Sequence, residues 1–268
     1  MPLQLQPLEL SDFDTLISHA STHAPGDDLV APLNPLVWPV RTRAEAQARG
    51  RHNFALQKWR FVEDPTTRFL KVVDPEDGGQ IVAVARWHFY PQGYDYAEQA
   101  HWEMAPATPL KKYLAAVNGG EQPGEGSSEA DVESDMQEDV YPPPNFNIAL
   151  HNHILASRDA FRPSWIPGRA PCWVLMHLVT RSSQRRRGAA GLLVRWGMDR
   201  AQETGACAYL EAGVQGRPVY EKFGFEQIGE ERRVSFARFV GEDGPREIVM
   251  ANMRWNPEVR EDTPGESI

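Results

Sequence analysis

The spacing of apolar residues along the chain changes between a period of two and a period of about 3.6, and each change marks a predicted element. Residues 3–8 alternate apolar and polar side chains, as a half-buried strand does. Helices are expected from Ser11, a candidate N-cap, to His19 and from Thr42 to Trp59. Later strands are predicted at residues 69–73, 81–89, 173–180, 206–212, 225–228, 234–240 and 248–253, and later helices at residues 147–161, 191–204 and 217–223.

Two groups of these elements can be placed relative to one another. A turn cluster of Asp, Pro and Gly residues joins strands 69–73 and 81–89, which are therefore expected to form a β-hairpin. Strands 173–180 and 206–212 are joined by helix 191–204. Such a strand–helix–strand crossover predicts that the two strands are parallel neighbours.

Three polar stretches interrupt the pattern. Residues 24–40 are rich in proline and are expected to be an irregular loop. Residues 121–139 carry eight carboxylates and no Lys or Arg, which predicts a disordered insertion at about 117–142 because like charges repel and little apolar surface is available to bury. The tail, 257–268, is expected to be loose, so the chain is interpreted as one domain, 1–256.

Composition narrows the function classes. The 268 residues are 41% apolar, which is enough for a sizeable core. The formal charge of −9 argues against a nucleic-acid partner. The two cysteines, Cys172 and Cys207, lie in apolar segments and are expected to be buried thiols. Because we find neither a membrane-spanning apolar stretch nor a secretory signal, we expect a cytoplasmic or nucleocytoplasmic protein without a membrane partner.

The segment between strand 173–180 and helix 191–204 has the composition of an anion site. A small-residue loop that opens a helix leaves backbone N–H groups unpaired, and the positive end of the helix dipole adds to their attraction for a pyrophosphate. A glycine lets the anion approach the backbone, and flanking arginines add positive charge. The residues of this loop are Arg185, Arg186, Arg187, Gly188, Ala189 and Ala190.

This loop and a second segment resemble the GNAT superfamily of acetyl-CoA-dependent N-acetyltransferases, most closely fungal-looking members with a long acidic loop. The family's pyrophosphate loop reads Gln/Arg-x-x-Gly-x-Gly/Ala, and Arg185, Gly188 and Ala190 occupy its fixed places. Downstream, Tyr220 and the Gly-Phe pair after it match the family's Leu-Tyr-x-x-x-Gly-Phe segment. The resemblance covers residues 172–229. It implies an α/β (α+β) fold whose mixed central sheet of about seven strands is flanked by helices and splayed between its two central parallel strands.

The resemblance implies that an acetyl group passes from acetyl-CoA to a primary amine by direct attack in a ternary complex, without a metal. The loop residues would bind the pyrophosphate, and Tyr220 would be the general acid for the departing thiolate. Glu211 is the candidate base, with His177 and His88 as alternatives and Glu103 as a weaker one. In this family the splayed strand offers free backbone groups to the pantetheine arm, and the corresponding residues are Leu178, Val179 and Thr180.

The acceptor is the least constrained part of the predicted site. A small-molecule amine is expected rather than a protein, bound by a monomer or a homodimer. Gly213 stands where the family often has Asn, and Ser182 where it usually has Pro, which weakens side-chain contacts with coenzyme A. His151 and His153 are two residues apart, do not share a helix face and make a poor metal pair. Four tryptophans either line the acceptor pocket or pack in the core: Trp38, Trp87, Trp102 and Trp165.

Two other functions stay open on the sequence. The first is a catalytically inactive GNAT-like module that binds acyl-CoA or a protein partner, and its support is Gly213 in the usual Asn place. The second is a protein that binds another nucleotide through the same loop. The sequence lacks Gly-x-x-x-x-Gly-Lys-Ser/Thr, and it lacks Gly-x-Gly-x-x-Gly after a first strand, which argues against the second.

Overall fold

One mixed sheet organises the chain. The computed structural model describes residues 2–19, 29, 34–94, 145–160, 166, 168–240 and 246–258. Within these ranges the strands are β1 (Gln4–Pro7), β2 (Thr67–Asp74), β3 (Gln80–Tyr90), β4 (Cys172–Thr180), β5 (Cys207–Gly213), β6 (Glu226–Gln227), β7 (Arg232–Ser235) and β8 (Glu247–Trp255). Their order is β1-β2-β3-β4-β5-β8, and β6 and β7 both pair with the other edge of β8. The predicted mixed α/β (α+β) fold is confirmed, with one strand more than expected.

Helices cover both faces of this sheet. Within the described residues they are α1 (Asp12–Ser18), α2 (Asn34–Val37), α3 (Arg43–Glu63), α4 (Ile148–Asp159), α5 (Ala189–Thr204) and α6 (Arg217–Lys222). The sequence did not predict α2, which lies inside the expected loop 24–40. Helix α3 begins with a capping box between Thr42 and Glu45 and runs one turn beyond its predicted end.

Ser11 occupies the N-cap position of α1, as predicted, but its side chain does not cap the helix. Ser11 has helical backbone angles (φ −64°, ψ −22°), and its side chain makes no capping hydrogen bond. The Asp12 carboxylate accepts a hydrogen bond of 2.6 Å from the backbone N–H of Glu9. This bond satisfies the N–H of a residue before the helix, so it does not replace the missing Ser11 cap.

Both predicted pairings are confirmed. Strands β2 and β3 form an antiparallel hairpin, and β4 and β5 are parallel neighbours. Strand β4 also pairs with β3 in the antiparallel sense, where Arg86 lies opposite His177 and Trp87 opposite Leu175. Met176 is therefore an extra residue in β4, a β-bulge that redirects the strand. The bulge separates the half of β4 next to β5 from the half that continues without it.

Helix α5 packs tightly on one face of the sheet. Adding a Cβ atom to Gly197 would bring it within 2.2 Å of the Trp87 ring, so only glycine fits there. The Trp87 indole N–H donates to the Leu193 carbonyl at 3.1 Å, which satisfies its polar atom in the core. The first residue after α5, Gly205, has φ 62°, a left-handed cap that ends the helix as predicted.

Helices α1 and α3 cover the opposite face. Val84 packs with Phe13 and Phe54, whereas its neighbour Ala85 belongs to the α5 side, as expected for successive residues of a strand. Helix α4 forms a separate cluster with Trp38, to which it contributes Leu150 and Ile154. The pattern of helix 147–161 also predicts that Ala156 faces the core, but Ala156 is exposed.

Some predictions concern residues outside the described ranges. These are the insertion at 117–142, residues 259–268 of the tail, the candidate base Glu103, and Trp102 and Trp165. None of the helices in the described ranges has the length and hydropathy needed to cross a membrane.

Candidate active site

The two parallel strands separate at the centre of the sheet. Strand β4 pairs with β5 only where Cys172–Leu175 lies opposite Cys207–Leu210. Beyond these residues β4 keeps its pairing with β3, and β5 keeps its pairing with β8. The edge of β4 that faces β5 is therefore unpaired along Leu178, Val179 and Thr180. The predicted splay is confirmed, whereas the binding role of these three residues stays a prediction.

The predicted anion loop lies where β4 leads into α5. Gly188 occupies the N-cap position with φ 89° and makes no side-chain cap, and α5 begins at Ala189. The N–H groups of the first helical turn consequently lack the capping acceptor that many helices have. Arg186 also has positive φ, 64°, which is uncommon for a side chain without special local bonding. Two left-handed residues thus lie in one short loop, and left-handed residues are common in backbone loops that bind anions.

The three arginines of the loop differ in their surroundings. Arg185 and Arg186 are exposed. Arg187 contacts the side chain of Gln184 and forms an ion pair of 2.6 Å with Asp74, at the end of β2. Sequence reasoning missed Asp74 because it belongs to the β2–β3 turn, far from the loop in sequence, and it has the appearance of an ordinary turn residue.

Tyr220 lies in α6, which contacts both β5 and α5. Its ring is buried and packs edge-on against Phe225 at 6.1 Å, and one ring carbon lies 3.0 Å from where a Cβ atom on Gly216 would stand. Burial raises the pKa of Tyr220 to about 12. Its hydroxyl therefore keeps its proton at neutral pH and acts as a hydrogen-bond donor.

Two of the candidate bases lie beyond the paired half of the parallel strands. Burial, followed by the charges of Arg86 and Arg60, lowers the pKa of His177 to about 3, so its imidazole is neutral at pH 7. The carboxylate of Glu211 accepts two hydrogen bonds from Arg158, at 2.8 and 3.0 Å, and lies 3.6 Å from Arg232. These ion pairs tie β5 to α4 and β7.

The third candidate, His88, lies at the other end of the sheet. It is opposite Val174, in the half of β4 that pairs with β5, and it is 1% exposed. Its Nδ1 is 2.9 Å from the Thr66 hydroxyl and 3.0 Å from the Tyr90 hydroxyl. Burial, and then Arg86 and neighbouring arginines, lower its pKa well below the ordinary value. The described surroundings of His88 are those of a structural network and not of the splay.

Of the four candidate tryptophans, the two that the structure describes, Trp38 and Trp87, pack in the core. Trp87 is buried against Gly197, and Trp38 stacks edge-on with His52 at 5.3 Å and is 3% exposed. Neither presents a ring to an open pocket. Among the described residues no group of three or more His, Cys, Asp or Glu side chains is arranged to hold a metal ion.

A comparison with protein-family models agrees with the interpretation of the loop. A model of the acetyltransferase (GNAT) family matches residues 122–225. Similar solved structures include a histone acetyltransferase HPA2 and related acetyltransferase of Corynebacterium glutamicum, 17% identical with a TM-score of 0.47 over 97% of this chain and 99% of that one.

Two insect enzymes are similar at the same level. The polyamine N-acetyltransferase of Drosophila melanogaster is 12% identical, with a TM-score of 0.47 over 95% of this chain and 99% of its own. The arylalkylamine N-acetyltransferase 2 of Aedes aegypti is 12% identical, with a TM-score of 0.48 over 96% and 99%. No curated protein matches the sequence. The family match spans the splayed strand, the anion loop and the Tyr220 segment, so this part of the chain is similar to the GNAT acetyltransferase family.

Proposed function

We propose that this protein is an N-acetyltransferase that moves an acetyl group from acetyl-CoA to a primary amine. The observation that carries the proposal is the splay of β4 from β5 directly before the loop Arg185–Ala190. An unpaired strand edge can bond an extended pantetheine arm, and the loop that follows it offers backbone N–H groups to the pyrophosphate. One continuous segment thus supplies both parts of a coenzyme A site.

The reaction proposed is direct attack within a ternary complex. The amine nitrogen bonds to the thioester carbonyl carbon, the carbon–sulfur bond breaks, and the thiolate departs. Since the thioester is already activated, the protein contributes chiefly by holding the two reactants together. Tyr220, with a pKa of about 12, donates a hydrogen bond that stabilises the charge developing on sulfur.

We propose two candidates for the base that takes the proton of the amine, His177 and Glu211. His177 is neutral at pH 7 and therefore in the form that can accept a proton, directly or through water. Glu211 is the second candidate, although Arg158 already bonds one of its oxygens. The pH profiles of kcat/KM for His177→Gln and Glu211→Gln decide between them, because loss of the base removes the acidic limb of the profile.

We propose a small amine as the acceptor, bound by a monomer or a homodimer. The test has two steps, and the first is thermal unfolding with and without acetyl-CoA. Stabilisation by acetyl-CoA and CoA, but not by ATP or NAD, supports the coenzyme site, and no stabilisation contradicts the proposal.

The second step screens amines, amino acids and peptides for release of free thiol from acetyl-CoA. Turnover with a small amine supports the enzyme and its acceptor class. Binding without turnover across the whole panel would instead indicate an inactive acyl-CoA-binding module.

A further inference from the structure

Asp74 is a buried carboxylate at the tip of the β2–β3 hairpin. Its side chain is 5% exposed. Its Oδ1 accepts a hydrogen bond of 3.1 Å from the backbone N–H of Glu76, and its backbone carbonyl accepts one of 2.9 Å from Gly79. These bonds fix the carboxylate in a tight turn, so the position of Asp74 does not depend on the anion loop.

The second oxygen of Asp74 reaches the anion loop. Its Oδ2 lies 2.6 Å from Nη1 of Arg187, and Gln184 accepts from the same Nη1. Both contacts of the guanidinium therefore involve a single nitrogen. Among the described residues, Nε and Nη2 of Arg187 have no partner, and the side chain is 38% exposed.

This arrangement suits the recognition of a phosphate. A guanidinium binds a phosphate best through two parallel N–H groups, and the Nε and Nη2 groups form one such pair. A long arginine side chain loses considerable rotational freedom when it binds, and a fixed carboxylate behind it removes part of that cost beforehand. The adjacent Gly188 presents the backbone N–H groups of the loop.

We propose that Asp74 is a positioning residue, which holds Arg187 so that its Nε–Nη2 edge faces the pyrophosphate of acetyl-CoA. This inference rests on the proposed coenzyme site. The opposite role is physically distinct, because a carboxylate that only competed for Arg187 would weaken binding, and its removal would tighten it. The sign of the change in affinity therefore separates the two roles.

The test measures the Kd of CoA by calorimetry for Asp74→Asn and for a matched control, Asp77→Asn, an exposed acid on the same turn. Asn retains an acceptor for the Glu76 N–H but loses the charge that faces Arg187. We expect Asp74→Asn to weaken binding about tenfold, the typical effect of losing a charged hydrogen bond, and Asp77→Asn to leave it unchanged.

A double-mutant cycle excludes a purely structural role. If Asp74 acts through Arg187, Asp74→Asn has no further effect on CoA affinity in the Arg187→Gln background. Additive losses, unchanged affinity or tighter binding would each overturn the proposal. If the wild-type protein does not bind CoA at all, the proposed function fails instead.

A variant on the exposed side covers the case in which Asp74→Asn does not fold. Arg187→Lys keeps the charge and can still pair with Asp74, but it lacks the two parallel donors. We expect CoA affinity to fall about fivefold or more. Affinity equal to that of the wild type would show that the oriented guanidinium edge is not used, and would overturn the inference.

Discussion

Strand β4 consists of two halves that differ in their pairing and burial. Residues Cys172–Leu175 are all buried and paired on both sides, with β3 and β5. Residues Met176–Thr180 keep only β3 as a partner, and all but Val179 are partly exposed. The closed half resembles the interior of a parallel sheet, whereas the edge of the open half that faces β5 is unpaired. The bulge at Met176 marks the boundary between the paired half and the half that we propose to bind coenzyme A.

The largest expected effect concerns the loop that follows the open half, where Gly188→Glu should abolish binding of acetyl-CoA. The substitution forces a side chain onto a backbone with φ 89° and adds a carboxylate where the pyrophosphate would lie. Strain and like-charge repulsion together predict a loss of at least about a thousandfold in affinity. Calorimetry with CoA provides the measurement.

Gly205→Glu is the matched control for that change. Gly205 lies at the other end of α5, with φ 62° and open space around its Cβ position, so the backbone strain is comparable. This variant should lose stability but retain its affinity for CoA. If both variants bind CoA equally well, the loop does not form the pyrophosphate site.

The closed half is best tested by Gly197→Ala. The added methyl would lie 2.2 Å from the ring of Trp87, which is fully buried opposite Leu175. We expect the free energy of unfolding to fall by about 3 kcal/mol, although alanine is intrinsically the better helix former. Denaturant unfolding measures the change.

The control in the same helix is Gly191→Ala. Its added Cβ would lie 3.1 Å from the tip of the Phe223 ring, a side chain that can shift slightly. This variant should change stability by less than about 1 kcal/mol. Equal losses for the two variants would mean that the contact between Trp87 and α5 does not determine the packing of this face.

The fold was predictable wherever its signals are local. The turn cluster before Gly79 identified the β2–β3 hairpin, and the crossover through α5 identified the parallel pair. Contacts between distant segments gave no such signal. The Trp87 indole bonds a carbonyl 106 residues away, and nothing near Gly197 in the sequence indicates that a ring occupies the space of its side chain.

The candidate site also has a part that could be predicted and a part that could not. A short motif indicates the anion loop, so Arg187 and Gly188 could be named from the sequence. The base could not be chosen in advance, because the pKa of His177 is lowered first by its burial and then by Arg86 and Arg60, which come from β3 and α3. Similarly, only the folded chain brings Arg158 to Glu211.

The variant Tyr220→Phe tests the chemical step that we propose beside the open half. The variant retains the buried ring and its contact with Phe225 but loses the hydroxyl that we propose as donor to the thiolate. Turnover should fall by about a hundredfold, the lower end of the range for general acids, whereas the Kd of CoA should change little. Steady-state kinetics with the best amine of the panel, together with calorimetry, separates the two quantities. Unchanged kcat, or equal changes in kcat and affinity, would remove Tyr220 from this role.

The smallest expected effect compares two histidines: His88, which lies on β3 opposite the closed half, and His177, which lies in the open half. Both have pKa values lowered in the folded state, His177 to about 3, so the unfolded chain binds more protons as the pH falls below the ordinary value of 6.5. Each histidine therefore has no effect on the free energy of unfolding well above that pH. As the pH falls below it, each lowers the free energy of unfolding, with a limiting slope of about 1.4 kcal/mol per pH unit.

Replacement of either histidine by Gln removes one of these contributions. Denaturant unfolding at pH 7, 6 and 5 should give a pH dependence shallower than that of the wild type for each variant, and the difference should approach about 1.4 kcal/mol per unit between pH 6 and 5. Of these two variants, only His177→Gln is expected to alter the pH profile of kcat/KM, and it does so if His177 rather than Glu211 is the base. An altered profile for His88→Gln, with an unaltered one for His177→Gln, would contradict the division of β4, since the residue that exchanges protons with substrate would then lie beside the paired strands.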